Sequence, residues 1–417
     1  MRSRRALIVT VGTGTRPDVY IVKPLIKTIQ DSRPDFLVLV VTPGSEEYGK
    51  RIAEELRLED DGFSLKCLNN FDDFQAVFRQ LNEVFRDLAE QGFPPQDTQL
   101  DFTSGTKAMS AGAVCSAISN KCRSIKYITG ERQNGVVIDS SERFLTLDPL
   151  EVFAIHDISL AAKLVQGLRF SAAEQVLSSL NARLLDSVTE RQMHGLRKVA
   201  QCFEAWDVFN HTQASKVLEK IDWSIPNLDH FKPRAEARTF LASLSKSGPN
   251  TVENQLVDLF NNAVRRGIEG KFDDAVARLY RTTELFAQQI LLRPPFEIDS
   301  SNVDLSRVPN TLRERLAKNR GKDDAIQIGL MLDYELLAAL NHPAGRRFKE
   351  NSELQSRLMQ RNGSILAHGV TPISRNLYKK LRDDVAELIS LERPEFVQQA
   401  RAVQFPWLVD QCGGDNG

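Results

Sequence analysis

A parallel α/β domain followed by helices to the end of the chain is the fold class this sequence predicts, and three observations predict it. Residues 1–150 alternate short apolar, β-rich runs with segments of helical period. Past Leu150 the strand signal nearly vanishes. One cluster of turn residues, Ser-Lys-Ser-Gly-Pro-Asn at 245–250, then divides the helical part in two. The expected organisation is an α/β domain over 1–150, a helical connector over 151–250 and an all-α domain over 251–417.

The apolar runs fall at Ala6–Val11, Phe36–Thr42, Ser64–Leu68, Gln99–Thr103 and Ser124–Thr129. Between them lie helix-period segments at Val19–Gln30, Glu46–Leu56, Phe71–Gln91 and Lys107–Ser119. Strands that are apolar throughout and separated by helices belong to a parallel sheet covered on both faces, a Rossmann-like arrangement. Gly135–Asp139 and Arg143–Asp148 read as a closing hairpin. In the connector, helical period covers Val152–Gly167, Ser171–Leu185, Val188–Ala205, Ala214–Ile221 and Pro233–Leu244. Beyond the linker it covers Val252–Glu269, Phe272–Leu291, Asn310–Lys318, Ala325–Leu340, Glu350–Gln360, Gly363–His368 and Pro372–Leu391.

Composition narrows the function classes. The chain has 417 residues, 41% hydrophobic and 26% charged, with no apolar run long enough to span a bilayer. The Met-Arg-Ser-Arg-Arg start leads straight into a strand and lacks the pattern of a secretory signal. Five scattered cysteines form no Cys-x-x-Cys pair, so neither a zinc site nor a disulfide framework is expected, and a reducing cytoplasm is. A net charge of −1 excludes whole-molecule electrostatic nucleic-acid binding. It conceals one basic block: Pro343–Arg382 holds nine Lys and Arg against Glu350 and Glu353.

In an open parallel sheet, ligands bind outside the carboxyl ends of the strands. Three such ends carry small polar residues: Gly12-Thr13-Gly14-Thr15, Thr42-Pro43-Gly44-Ser45 and Thr103-Ser104-Gly105-Thr106-Lys107. Glycine lets backbone approach a ligand closely, while hydroxyls and helix N-terminal N–H groups bind phosphate. Pro17 stands where a dinucleotide fingerprint needs its third glycine, and Thr-Ser-Gly-Thr-Lys lacks the upstream glycine of a P-loop. The expected ligand carries phosphate without being a standard dinucleotide or nucleoside triphosphate. Turn and cap chemistry alone is the bland alternative for each loop.

Asp101-Phe-Thr-Ser-Gly-Thr-Lys-Ala-Met-Ser-Ala-Gly112, with the Gly12–Thr15 loop, resembles the CRISPR-associated Rossmann fold (CARF) sensor domains of type III systems. The resemblance covers about residues 5–150 and is most specific at Thr-x-Gly-Thr-Lys. It implies that a cyclic oligoadenylate of four or six adenylates binds across a two-fold axis. Gly12, Thr13, Gly14, Thr42, Ser45, Thr103, Gly105, Thr106 and Lys107 would line that pocket. Some relatives also cleave their ligand there, with Thr13, Thr103 and Thr106 as the local candidates.

The second site is Arg361-Asn362-Gly-Ser-Ile-Leu-Ala-His368. Arginine and histidine seven apart fall on one face if the segment is helical, about two turns at 3.6 residues each. A guanidinium that holds phosphate and an imidazole that moves a proton near neutral pH suit phosphodiester cleavage. Gly369 and Pro372 end the expected helix, whose C-terminus would favour protonated His368. The other histidines, at 156, 194, 211, 230 and 342, read as surface or satisfied core groups.

The wording Arg-Asn-Gly-Ser-Ile-Leu-Ala-His-Gly resembles the active-site motif of HEPN ribonucleases, and Gly270–Gln288 resembles the preceding helix of CARF–HEPN proteins. Together these resemblances cover about residues 252–395. They imply catalytic roles for Arg361, Asn362 and His368, with Arg278, Arg281 and Glu284 as a supporting polar face. They also imply a metal-independent cut of single-stranded RNA that leaves a 2′,3′-cyclic phosphate, in a homodimer where two motif copies meet. The expected activity is endoribonuclease of type III CRISPR antiviral defence, with a cyclic oligoadenylate as activator and no cofactor. Two rivals stand beside it. A non-catalytic cyclic-nucleotide sensor would bind ligand without cutting, and a Rossmann-type metabolic enzyme would need the ribose-binding acid that Thr42-Pro43-Gly44 replaces.

Overall fold

The computed structural model describes residues 4–13, 19–133, 136–137, 141–180, 185–246, 251–321 and 323–409. It divides into two compact units, one of residues 1–157 and 181–189, the other of residues 158–180 and 190–417.

In the first unit the strands are β1 (Ala6–Thr10), β2 (Phe36–Val41), β3 (Phe63–Cys67), β4 (Thr98–Asp101), β5 (Ser124–Thr129), β6 (Arg132–Gln133), β7 (Val136–Val137) and β8 (Arg143–Leu147). Four helices lie between them: α1 (Val19–Ser32), α2 (Glu46–Leu56), α3 (Phe74–Glu90) and α4 (Lys107–Ser119). The sheet order is β3-β2-β1-β4-β5-β8, parallel except for β8. β1 is buried at every position because the sheet is covered on both sides. Its side chains alternate: Leu7 and Val9 pack with Val22, Leu25 and Ile52, whereas Ala6 and Ile8 pack with Val77, Leu81 and Met109. The α/β expectation is borne out.

The closing hairpin is not. Arg143–Leu147 pairs with β5 across Ile125–Thr129, and Val136–Val137 pairs with Arg132–Gln133. The free edge of β5 leaves backbone groups that a neighbouring strand satisfies, which outranks the local turn signal. Gly135 and residues 138–140 of that expectation lie outside the described residues.

The rest is helical: α5 (Pro149–Gln166), α6 (Phe170–Ser178), α7 (Ser187–Asp207), α8 (His211–Leu218), α9 (Ala235–Leu244), α10 (Thr251–Ile268), α11 (Phe272–Leu292), α12 (Asn310–Ala317), α13 (Leu330–Ala339), α14 (Pro343–Glu350), α15 (Ser352–Gln360), α16 (Arg375–Ser390) and α17 (Phe396–Ala402). The unit boundary falls within α5. Residues 158–180 and 190–250 of the expected connector fall in one compact unit with the C-terminal helices. Phe203 and Trp206 of α7 pack on Phe405 and Trp407. Arg265 of α10, 1% exposed, donates to Asp207 at 2.7 Å and Gln404 at 3.1 Å. Asp258 accepts from His211 at 2.7 Å and from Trp206 at 3.1 Å. A buried guanidinium is tolerable only with such partners. Among the described residues no helix is long and apolar enough to cross a membrane.

Candidate functional site

Two groups of residues answer to the sites read from sequence, one in each unit.

In the first unit, β1, β2 and β4 run parallel, so their carboxyl ends lie along one sheet edge. β1 is flanked by β2 and β4, making the β1/β4 gap the point where the chain's winding reverses. The loops after β1 and β4 meet there: Gly12 N–H donates to Ser104 Oγ at 3.0 Å, and the Thr10 hydroxyl donates to the Ser104 carbonyl. A Cβ on Gly12 would stand 2.7 Å from Gly105 N, so backbone meets backbone and only glycine fits. Gly105 itself sits at φ +129°, a conformation side chains disfavour.

The hydroxyls of these loops divide into two kinds. Ser45 is buried and donates to the Val11 carbonyl at 2.6 Å while accepting the Thr42 N–H at 2.9 Å. Thr103 accepts from Ile128 N–H at 2.9 Å. Thr106 caps α4, accepting from Met109 N–H at 3.1 Å and donating to the Phe71 carbonyl at 3.1 Å. These groups shape the loops. Thr13 carries the exposed hydroxyl, and Pro43, Gly44, Gly105 and Lys107 are exposed beside it on these loops. Lys107 opens α4, where the helix dipole disfavours a cation. Gly14 lies outside the described residues.

In the second unit, Arg361 and His368 are not on one helix. α15 ends at Gln360, Arg361–Gly363 is a single 3-10 turn, and 364–374 is non-helical. Asn-Gly at 362–363 favours a turn over helix continuation. The two functional residues nonetheless belong to one tight loop. His368 N–H donates to the Asn362 carbonyl at 3.2 Å, and Thr371 N–H to the Gly363 carbonyl at 2.9 Å. Gly369 makes this possible, since a Cβ there would meet the Gly363 oxygen at 2.1 Å. The helix C-terminus expected to favour protonated His368 is therefore absent at that position.

Arg361 lies with its guanidinium 5.0 Å from the ring centroid of Tyr280, on α11. Its Nε is buried with no hydrogen-bond partner among the described residues, and so is Ser364 Oγ. His368 and Asn362 are exposed, with Ile365 (72%) and Val370 (86%) bare beside them. The expected supporting residues bond elsewhere. Arg278 reaches Asn262 and Asp274, and Arg281 bonds Glu284 at 2.7 Å and Gln288 at 2.9 Å. Tyr280, between Arg278 and Arg281 in sequence, is the residue that touches Arg361.

Sequence reading missed both Tyr280 and Asp333. Asp333 is fully buried and takes a hydrogen bond from Ser300 Oγ at 2.7 Å. Burial, reinforced by the nearby Glu284 charge, pushes its carboxyl up to about 7. Burial and the charges of Glu284 and Asp333 raise the Tyr280 hydroxyl, against the opposing charge of Arg361. No spacing rule marks a lone Asp in an apolar helix, so the signal was not in the sequence.

The basic block is less basic in space. Arg347 pairs with Glu387 at 2.6 Å, and Arg357 pairs with Glu353 and Asp384. Those acids at 384 and 387 lie just past the window in which the charges were counted. Among the described residues no group of three or more His, Cys, Asp or Glu could hold a metal ion.

Residues 245–392 match the family model described as the Csm6 HEPN domain, a span that contains Arg361, Asn362 and His368. No curated protein matches the chain. Among solved structures, Enterococcus italicus Csm6 bound to cyclic hexa-2′-fluoro-hexa-dAMP shares the fold at TM-score 0.64 and 13% identity, over 97% of this chain and 100% of that one. Can2 from Sulfobacillus thermosulfidooxidans, in complex with cyclic tetra-adenylate, aligns over 70% of each chain at 15% identity, but its TM-score of 0.25 carries no structural weight. Residues 245–392 are thus similar to the Csm6 HEPN domain, they follow a Rossmann-like α/β domain, and the chain as a whole shares the fold of a Csm6.

Proposed function

We propose that this chain is a CARF–HEPN protein, an endoribonuclease of type III CRISPR antiviral defence switched on when a cyclic oligoadenylate binds its N-terminal loops. The observation that carries the reading is the loop 361–371 itself. It lies inside the HEPN match, folds His368 back onto Asn362, and seats Arg361 on Tyr280. The Enterococcus italicus relative holds a six-membered ring analogue, which makes cyclic hexa-adenylate the first activator to test and cyclic tetra-adenylate the second. Residues 1–150 would sense the ring, 151–250 connect, and 251–417 cut.

Single-stranded RNA supplies its own nucleophile. The 2′-oxygen attacks the adjacent phosphorus and loses its proton, and the 5′-oxygen leaves and gains one. The products are a 2′,3′-cyclic phosphate and a 5′-hydroxyl. Arg361 neutralises the charge that builds on the phosphorus oxygens, His368 moves a proton, and Asn362 orients either partner. At the sensor, Lys107 and the Gly105 turn take a ring phosphate, while exposed Thr13 meets the ring and Gly12 holds the two loops together.

A homodimer completes both ends of this account. Ile365, Leu366 and Val370 are exposed around the loop, apolar surface that a second copy would cover and that water alone disfavours. The free cysteines at 67, 115, 122 and 202 suit a reducing cytoplasm. The test is RNA cleavage by purified protein in EDTA, with and without each ring. Ring-dependent cutting with 2′,3′-cyclic ends is expected, and no cutting with either ring would overturn the reading.

A further inference from the structure

A cavity of about 450 Å³ opens in the second unit between α10, α16 and α17, with Phe272 of α11 also in its lining. Its walls are chemically uneven. Arg375, Lys379 and Arg382 project into it from α16, and Arg401 adds a fourth cation from α17. The single acid on the wall, Asp383, is held by Arg382 at 2.8 Å. Residues 375, 379 and 382 are spaced as i, i+4 and i+7, so they share one helix face, about 6 and 4.5 Å apart along its axis. Cations in such a row suit several negative charges in sequence better than one compact anion.

The aromatic residues point to the same ligand class. Phe272 and Tyr378 stack with centroids 5.7 Å apart and planes at 30°. Arg375 sits 5.7 Å over the Phe272 ring, and Arg382 sits 6.0 Å over the Tyr378 ring. A guanidinium laid on a ring still has its edge N–H groups for a phosphate, and it offers a flat face to a base. The α10 side of the lining is mostly apolar, with Phe260, Val264 and Ile268 beside Asn261. The volume falls in the range of small-ligand pockets, enough for a nucleotide unit rather than an ion.

We infer that this cleft is a binding site for single-stranded RNA, with successive phosphates on the α16 cations and a base against the guanidinium faces laid over Phe272 and the buried Tyr378. The inference rests on the reading that this domain cuts RNA, and it names where the strand is held. Arg375 follows His368 by seven residues, so the segment 369–374 leads from the cutting loop to the first cation of the cleft. Ile373 N–H is anchored to Asp273, next to Phe272, at 3.4 Å.

The experiment uses the full chain saturated with the activating ring and a fluorescein-labelled 2′-O-methyl RNA of about a dozen nucleotides. That probe lacks the nucleophile and survives. Fluorescence anisotropy is read across a salt series for wild type, Arg401→Glu, Arg401→Gln and the double variant Arg375→Glu/Lys379→Glu. The double variant should weaken binding at least about tenfold, and each lost phosphate contact should lower the log Kd against log salt slope by about 0.7. Arg401→Glu should raise KM for cleavable RNA while kcat stays within about twofold. Arg401 is exposed, so its variants fold even if the double variant does not. Unchanged Kd and salt slope in both Arg401 variants would overturn the inference. So would altered oligomer mass with RNA binding intact, which would mark the cleft as a protein contact. If wild type cuts RNA while the variants bind as it does, the cleft falls and the nuclease reading stands. If wild type neither binds nor cuts, both fall.

Discussion

The two candidate sites of this chain are built in opposite ways. At the sheet edge the polar groups are largely consumed internally: Ser45, Thr103 and Thr106 all bond backbone groups, and Gly12 is locked against Gly105. At the 361–371 loop, Arg361 Nε and Ser364 Oγ are buried without partners, and the side chains around them are apolar and bare. Buried polar atoms are normally satisfied; near the first region Asp101 Oδ2, at the end of β4, lacks a partner among the described residues, whereas in the second the partnerless atoms belong to the functional loop itself. The difference suits a sensor that must recognise one ligand shape and a cutting site completed only on assembly.

The largest expected effect breaks the second region outright. Arg361→Ala and His368→Ala should each slow RNA cleavage about a hundredfold or more, because each removes a group acting at the transition state. Circular dichroism should stay unchanged, since neither side chain is in the core. Wild-type rates in His368→Ala would move the cutting site elsewhere.

The next effect separates the regions. Lys107→Glu places an anion where a ring phosphate is expected and should raise the half-maximal activator concentration about tenfold or more, roughly the 1.4 kcal/mol of one charge-assisted contact. Unstimulated cleavage should be unaltered. Calorimetry with unchanged ring affinity in that variant would remove the sheet-edge loops from the account.

A smaller effect tests how Arg361 is held. Losing the Tyr280 ring should cost about 0.5–1 kcal/mol of cation–π contact, a two- to fivefold drop in kcat for Tyr280→Ala. Tyr280→Phe keeps the ring and should restore the rate. An equal loss in both variants would assign the role to the hydroxyl.

The last effect is on stability and leaves the cleavage rate aside. The Asp333 carboxyl is raised to about 7 by burial, so the folded chain keeps a proton that the unfolded chain releases near 3.8. The native state binds the extra proton between about pH 4 and 7. That contribution is therefore intact below this window and lost as pH rises through it, at most about 4 kcal/mol at about 1.4 kcal/mol per tenfold of proton affinity. Melting temperature should fall from pH 5 to pH 8, and Asp333→Asn should flatten that slope. A slope unchanged in Asp333→Asn would show that other groups set it.

Much of this was legible in the residues alone. The apolar runs at Ala6–Val11 and Phe36–Thr42 announced a doubly covered sheet, because a strand buried on both faces needs no alternation. The Arg361–His368 motif was visible, but its shape was not. A helical period was read through Asn362-Gly363, where turn chemistry prevails and the chain folds back through backbone bonds. β8 was assigned to a local hairpin, whereas the unsatisfied edge of β5 claims it. Tyr280 and Asp333 left no trace in spacing, since their importance comes from neighbours supplied by distant segments. The charge block misled for the same reason: Asp384 and Glu387 neutralise Arg357 and Arg347 from one turn past the counted window.

The claim that the cutting site is finished only by a second copy is tested most directly with a mixed dimer. Differently tagged wild-type and His368→Ala chains are co-expressed, the heterodimer is isolated, and RNA cleavage is measured at saturating activator. A composite site predicts far less than half of wild-type activity, because the one altered histidine is missing from the shared cleft. Independent sites would add and leave about half. Half-maximal activity, or a protein that cuts RNA while light scattering finds only monomer, would contradict the account.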